Sequence, residues 1–233
     1  MAADLAALQR ATAATDPPDA PRYPFDPPPP PFAEDALEPW IGAASVRLQR
    51  AIHLGYARRL NALLERLPAH HGVSVESLVR SVAEVPEPMR AAVLDAAAGH
   101  ANHQFWWKML KPGGNGGAGP QGRLREALER RFGSVEGFKR RFGALVEGHV
   151  GSGWAYLGVD PLSGDLLAYA LPDNGSTMSL GRPGVMIFDV WEHAWCLDRG
   201  ADRAAYVEAW WRVVDWDALG RRLDAFWEGR THT

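Results

Sequence analysis

A glycine- and proline-rich segment, PGGNGGAGPQG at residues 112–122, constrains the fold of this chain more than any other feature of the sequence. Helices and strands are both disfavoured there, because glycine loses much backbone entropy when ordered and proline has no amide hydrogen to donate. The segment therefore predicts a linker between two domains, at residues 32–111 and 123–229.

The half before the linker carries two long helical patterns. In residues 45–67 the apolar side chains recur at positions 48, 52, 56, 60, 63, 64 and 67, which is the spacing of one face of a helix. The segment EPMRAAVLDAAAGHANHQFWWKML at residues 87–110 predicts a second helix of similar length. We therefore expect residues 32–111 to form a helical hairpin.

The half after the linker changes character. Two amphipathic helical segments, LREALERRF and SVEGFKRRFGALVEG, come first. Three strands are then predicted at GWAYLGVD, LLAYALP and GVMIFDVW, with a turn at PLSGD between the first two. Helical segments at DRAAYVEAWWRVV and DALGRRLDAFW close the chain. A helical hairpin followed by a domain of strands and helices is an α+β fold.

The first 31 residues contain too many prolines for regular structure and predict a mobile or surface-draped arm, which could contact a partner. The formal net charge of −3 indicates neither a nucleic-acid surface nor an anionic-membrane surface. We find no apolar run long enough to span a bilayer and no secretory signal pattern. The single cysteine, Cys196, excludes an intrachain disulfide and fits a reducing compartment. We expect a cytoplasmic protein, with an organelle matrix as the alternative.

Polar side chains that could bind a metal stand among tryptophans in two places. His103 lies in the second predicted helix, four residues before Trp107, and Asp189 and His193 lie where the last strand ends. Two imidazoles and a carboxylate suit a transition metal. Spacing of this kind is also common in solvated or hydrogen-bonded core residues. A carboxylate among tryptophans, however, needs a cation or several donors.

The segment DVWEHAW at residues 189–195 resembles the D-x-W-E-H signature of the iron/manganese superoxide dismutases. Four other segments resemble that family in the same order and spacing, so that the resemblance covers residues 32–228: FAEDALEPWI, AGHANHQFWWKMLKPGGNGG, FGALVEGHVGSGWAYLGVD and YVEAWWRVVDW. It implies an N-terminal long α-helical hairpin followed by a domain with a three-stranded antiparallel sheet and surrounding helices.

The resemblance also implies roles for individual residues. His103, Asp189 and His193 would be three equatorial ligands of one iron or manganese ion, and Tyr56 would be the catalytic tyrosine of an active enzyme. Three tryptophans would form a dry wall around the metal, namely Trp107, Trp154 and Trp191. Glu192 would reach His193 of the partner subunit and so link two sites across a dimer.

The first helix departs from the family at the fourth, axial ligand, which is a histidine two turns before a tyrosine, with another histidine midway. Anchored on Tyr56, the axial position falls on Leu48; anchored on FAEDALEPWI, it falls on Gln49, with His53 midway. The two anchors disagree by one residue, which implies a one-residue deletion between them. A deletion inside a helix would rotate every later side chain by about 100°, so we place it near residues 42–45, before the helix, and favour Leu48. In that register His53 is a surface or interface residue.

Three further positions lack the residues that the family uses around its metal. Cys196 stands where a tyrosine would bond the midway histidine across the dimer. The glutamine that holds the metal-bound solvent comes from one of two places in the family, and these are Gly99 and Gly175 here. Outer-shell partners of this kind typically change metal affinity or activity by about 10–100-fold.

Two functions fit this pattern. One is a superoxide dismutase of weak or lost activity, with solvent or Gln49 in the axial place. The other is a structural protein, a subunit of a homodimer or of a heteromeric assembly that has kept the fold without catalysis. Its metal would be vestigial, purely stabilising or absent. The three intact ligands and Tyr56 favour the first hypothesis. The altered positions and the proline-rich arm favour the second.

Overall fold

The first half of the chain is a helical hairpin, as predicted. The structure, a computed structural model, describes residues 19–231. The two long helices of the hairpin are α1 (Ala43–Leu64) and α3 (Glu87–Trp107). Between them lies a short helix, α2 (Val75–Arg80), whose first turn is capped by the Ser74 hydroxyl accepting from the Ser77 amide. Sequence periodicity missed α2, because six residues are too few to show a helical repeat.

The second half contains helices and one sheet. Its helices are α4 (Gly122–Phe132), α5 (Val135–Glu147), α6 (Cys196–Arg199), α7 (Arg203–Trp210) and α8 (Trp216–Thr231). Its strands are β1 (Gly153–Val159), β2 (Leu166–Pro172) and β3 (Gly184–Asp189). All three predicted strands are confirmed, and so is the α+β fold class.

The sheet is antiparallel, with β1 between β2 and β3. Every residue of β1 is buried, as expected for a central strand covered on both faces. The pairing of β1 with β3 places Trp154 opposite Asp189, the last residue of β3. The sheet thus brings one candidate ligand next to one of the predicted wall tryptophans.

Two apolar cores flank the candidate site. One fills the hairpin, around Leu60, Leu64 and Val93. The other fills the second domain and extends to the end of α3, where Trp106 is buried. The candidate ligands lie on α3 and at the end of β3, so side chains from both domains position the site.

The described part of the N-terminal arm, from residue 19 onward, lies along the hairpin. Phe25 is buried, and its backbone amide and carbonyl both bond the side chain of Asn61 on α1. Tyr23 stacks on His71, with ring centroids 3.8 Å apart. The first 18 residues of the predicted arm lie outside the described residues. None of the described helices is long and apolar enough to cross a membrane.

Candidate metal centre

Three of the predicted ligands converge at the junction of the two domains. His103 comes from α3, Asp189 ends β3, and His193 follows in a single 3₁₀ turn, Glu192–Ala194. One potential ligand atom from each lies within 4.8 Å of the other two. His103 and Asp189 are buried, and the side chain of His193 is 16% exposed. Two distant parts of the sequence, α3 and the segment from Asp189 to His193, therefore form a group that could hold a metal ion.

The hydrogen bonds leave the ligand atoms of both histidines free. His103 Nδ1 donates to the carbonyl of Gly99 at 2.7 Å, so its Nε2 keeps a lone pair, and this buried atom has no hydrogen-bond partner. His193 Nε2 lies 3.2 Å from Asp189 Oδ2 but makes no hydrogen bond with it. Burial lowers the pKa of His103 to about 4, although Asp189 and the Gly99 carbonyl oppose the shift. Both imidazoles therefore offer a nitrogen to a metal.

Gln49, and not Leu48, lies against the three candidate ligands. Its Nε2 donates to Asp189 Oδ2 at 2.6 Å, while its Oε1 is buried without a partner. Gln49 is 1% exposed, whereas Leu48 is only partly buried. Our preference for the Leu48 register is wrong at this position.

The structure also shows why the two registers conflicted. Gln49, His53 and Tyr56 follow one another at intervals of four and three residues on α1, which places all three on one helical face within about 60°. His53 is 3% exposed, so the prediction that it is a surface or interface residue is wrong. Tyr56 also faces the site, with its ring centroid 5.4 Å from that of His103. Ala57, which follows Gln49 by eight residues, lies in the hairpin core instead.

His53 belongs to a buried hydrogen-bonded chain. Its Nδ1 accepts from Trp107 Nε1 at 3.2 Å, so its Nε2 carries the hydrogen that bonds His100 Nδ1 at 2.8 Å. Burial, together with the neighbouring histidines His100 and His103, lowers the pKa of His53 to about 2. Burial and His103 lower the pKa of His100 to about 4. The imidazoles are therefore neutral near pH 7, the form in which histidine binds metals.

The two glycines leave no room for a glutamine. A Cβ added at Gly99 would lie 2.5 Å from the ring of Tyr56, and one added at Gly175 would lie 2.6 Å from Leu171 Cβ. Real Cβ atoms do not approach other atoms so closely, so neither position accepts a side chain without movement of its neighbours. The space next to Gly99 is filled by the tyrosine ring itself.

The three tryptophans of the predicted wall lie around the cluster. Trp154 is fully buried and packs edge-on against His103 at 5.0 Å, Trp191 stacks beside His193 at 5.7 Å, and Trp107 bonds His53.

The last two predicted positions lie at the surface. Glu192 is exposed and accepts a hydrogen bond from the hydroxyl of Ser152 at 3.0 Å. Cys196 is exposed.

A single iron or manganese ion fits this cluster. Two buried nitrogens without partners, His103 Nε2 and His193 Nε2, lie in the cluster, and Gln49, which bonds Asp189, adds a buried Oε1 that is also without a partner. Unpaired buried polar atoms are costly, and a cation bound by all of them removes that cost. Asp189 adds its carboxylate oxygen Oδ2. Its other oxygen, Oδ1, accepts a hydrogen bond from the Trp191 backbone amide at 2.9 Å. Nitrogen and oxygen donors of this kind suit iron and manganese.

Sequence reasoning missed Asn174, whose amide bonds both Tyr56 and Trp154. The residue directly precedes Gly175, which the resemblance did single out. A search for amide side chains one residue away from the missing glutamine would have found it.

Comparisons with known proteins identify the family of this chain. The family model for iron/manganese superoxide dismutases, alpha-hairpin domain, matches residues 24–111, and the model for their C-terminal domain matches residues 120–222. The chain is similar to proteins named "Superoxide dismutase [Mn]" from Thermus thermophilus, with 38% identity, and from Listeria monocytogenes, with 37%. A protein of the same name from Pseudomonas aeruginosa is 38% identical. Each alignment covers 84% of this chain and 95% of the relative.

Proposed function

The chain belongs to the iron/manganese superoxide dismutase family, and we propose that it dismutates superoxide at one iron or manganese ion held between its two domains. In that reaction two superoxide anions and two protons give one oxygen and one hydrogen peroxide. The ion, when bound, would supply the one-electron oxidation and reduction. The observation that carries the proposal is the convergence of His103 from α3, Asp189 at the end of β3 and His193 in the turn after it, with Gln49 of α1 bonded to Asp189.

The proposed ligands are His103, Asp189 and His193, with Gln49 as the fourth. The Gly99 carbonyl fixes the tautomer of His103, and the Trp191 amide holds the second oxygen of Asp189. Such outer hydrogen bonds orient ligands and raise their basicity.

Around these ligands, the tryptophans exclude water and so strengthen every charge interaction inside the site. Tyr56 presents a phenol beside His103, where it can donate a hydrogen bond to a small anion or to solvent.

If Gln49 were the fourth residue to hold the ion, a carboxamide oxygen would stand where the family has an imidazole, and we expect this enzyme to be slow. The amide is a weaker base than imidazole and donates less charge to a metal, so it shifts the potential that both half-reactions depend on. Gln49 Nε2 also donates a 2.6 Å hydrogen bond to Asp189 Oδ2, so this carboxylate oxygen would share its electron density between the amide and an ion that it held. We therefore propose a measurable rate per bound metal that is below that of relatives with a complete ligand set.

The test is the decay of superoxide measured by stopped flow, with protein loaded with manganese or with iron and its metal content determined. His193→Ala removes one ligand, and His70→Ala is the matched control, since His70 lies in a 3₁₀ turn of the hairpin. We expect the rate to follow the metal content and to vanish in His193→Ala but not in His70→Ala. If wild-type protein with one metal ion per chain accelerates superoxide decay no more than the free ion does, the proposal is overturned.

The alternative function is a non-catalytic structural subunit, and one observation favours it. The bond from Gln49 to Asp189 partly satisfies the buried carboxylate without any metal, so Asp189 has two hydrogen-bond donors, this amide and the Trp191 backbone amide, even when no ion is bound. In this reading the purified protein holds little metal, and stripping it leaves the melting temperature unchanged. A metal-loaded wild type that accelerates superoxide decay beyond the free ion would exclude the structural role as the sole function.

We also propose a homodimer, in which Glu192 of one chain approaches His193 of the other. The exposed position of Glu192 beside the partly exposed His193 supports it. Sedimentation at micromolar concentration tests the assembly, and a monomer there would contradict it. The cytoplasm is the proposed location, and fractionation of the source cell is its test.

A further inference from the structure

The side chain of Asn174 connects three residues around the candidate metal centre. It lies two residues after the end of β2 and is 6% exposed. Its Oδ1 accepts from Trp154 Nε1 at 3.4 Å, and its Nδ2 donates to the Tyr56 hydroxyl at 3.0 Å and to Asp95 Oδ1 at 2.8 Å. An indole can only donate and a carboxylate can only accept, so these partners fix the orientation of the amide.

This orientation determines what the Tyr56 hydroxyl can do. Because the phenol oxygen accepts from Asn174, its own hydrogen remains available to another acceptor. The tyrosine ring lies 5.4 Å from that of His103 and fills the space above Gly99. An amide that donated no hydrogen bond would leave the phenol free to rotate and to donate elsewhere.

We infer that Asn174 is the positioning residue that takes over the task of the absent glutamine, by holding the Tyr56 phenol as a hydrogen-bond donor toward a small anion or solvent in the site. The inference rests on the proposed function. Gly99 and Gly175 cannot carry a glutamine without displacing Tyr56 or Leu171. Asn174 supplies a carboxamide from a neighbouring backbone position and bonds the tyrosine directly.

A charged pair supports the amide from outside. Asp95, which receives the second hydrogen of the amide, also pairs with Arg59. The guanidinium of Arg59 lies 5.7 Å from the centroid of the Tyr56 ring. Asp95 and Arg59 are both partly exposed, so the chain of contacts runs from the surface to the tyrosine.

The experiment is a double-mutant cycle on metal-loaded full-length protein. The variants are Asn174→Leu, Tyr56→Phe and the pair together, with Asn115→Leu as the matched control. Asn115 also bonds a carboxylate and a tryptophan, Asp217 and the backbone amide of Trp216, but it lies in the linker. Asn174→Asp is a second variant, because it keeps an acceptor for Trp154 while losing the hydrogen donated to Tyr56.

Two quantities are measured for each variant at equal metal content. One is the affinity of the trivalent ion for azide, an anion that takes the place of a small anionic substrate, followed by optical titration. The other is the dismutation rate per bound metal. Asn174→Leu and Asn174→Asp should weaken azide binding and lower the rate about as much as Tyr56→Phe, by about 10–100-fold. The double variant should lose no more than either single variant, because both changes remove one interaction.

Three results separate this inference from the proposed function. If both Asn174 variants match the Asn115→Leu control, or if the double variant shows the product of the single losses, the inference is overturned. The wild type could instead show no turnover while the effects of Asn174→Leu and Tyr56→Phe on azide affinity are non-additive. Dismutation then fails as the function, and the positioning role of Asn174 stands. If the wild type takes up neither metal, both proposals are overturned.

Discussion

Replacing Gln49 by leucine tests the fourth corner of the site. In the metal-free protein the change removes a 2.6 Å donor from Asp189, which is fully buried and still accepts from the Trp191 amide. A hydrogen bond to a charged group contributes about 1.5–3 kcal/mol. For a chain of this size each kcal/mol shifts the melting temperature by about 2–4 °C. The metal-free variant should therefore melt roughly 3–12 °C lower than the metal-free wild type.

Metal affinity distinguishes the two roles that Gln49 could have. If its Oε1 is a ligand, Gln49→Leu should weaken manganese binding by at least about 10–100-fold, the effect typical of outer-shell residues alone. If the amide only holds the carboxylate in the metal-free state, the variant should bind manganese more tightly, because the competing hydrogen bond is gone. Competition titration with a chelator measures this, with Gln121→Leu, an exposed amide, as the control. Tighter binding by Gln49→Leu would refute Gln49 as a ligand.

Three other changes give distinct outcomes. Gln49→His should raise metal affinity and the dismutation rate, whereas Leu48→His, which lies about 100° away around the helix, should change neither; equal gains from both, measured by metal analysis and stopped flow, would contradict the placement of α1. Gly175→Gln should lower the melting temperature without raising the rate, because its Cβ would lie 2.6 Å from a neighbouring side chain; a faster variant would show that the loop can rearrange. Burial depresses the pKa of His100 and of His103 to about 4, so the unfolded chain binds more protons than the folded chain below pH 6.5. Stability of the metal-free protein should therefore be fully present above pH 6.5 and decline toward pH 4, by up to about 1.4 kcal/mol per pH unit for each histidine; denaturant unfolding that is flat over that range would contradict their neutral burial.

The elements that the sequence predicted were those with a clear hydrophobic periodicity or with glycine, proline or aspartate at their ends. The glycine-rich linker and the long apolar pattern of α1 determined the hairpin. The three strands were bounded by glycine, proline and aspartate, and each was found within one or two residues of its predicted ends. The short helix α2 had neither signal, and it was missed.

The errors at the site come from treating two helix registers as mutually exclusive. The anchors Tyr56 and FAEDALEPWI place the axial position one residue apart, on Leu48 and on Gln49. If the tyrosine must follow the axial residue by eight residues, only Leu48 is compatible with Tyr56. In the structure Tyr56 follows Gln49 by seven residues, which is nearly two turns, so both residues face the site on an uninterrupted helix. Whether Leu48 or Gln49 points toward the candidate ligands depends on the direction of each side chain in the folded helix. Sequence spacing alone does not give that direction.

Asn174 illustrates a different limit. Position-by-position comparison with a family finds whether a glutamine is present at two given places, and here both are glycine. It does not find a carboxamide that reaches the same tyrosine from the adjacent residue. That contact depends on the left-handed backbone of Asp173 at φ 50° and on the space left beside Trp154, and both are properties of the folded chain.

The most direct test of the account is the rate of superoxide decay per bound metal ion, measured on wild type and Asp189→Asn at known metal content. The account predicts that the manganese- or iron-loaded wild type accelerates decay in proportion to its metal, and that Asp189→Asn loses both the metal and the acceleration, because the amide contributes no charge to the cation. A wild type that binds one ion per chain yet leaves superoxide decay at the rate of the free ion would contradict the claim that this site is catalytic.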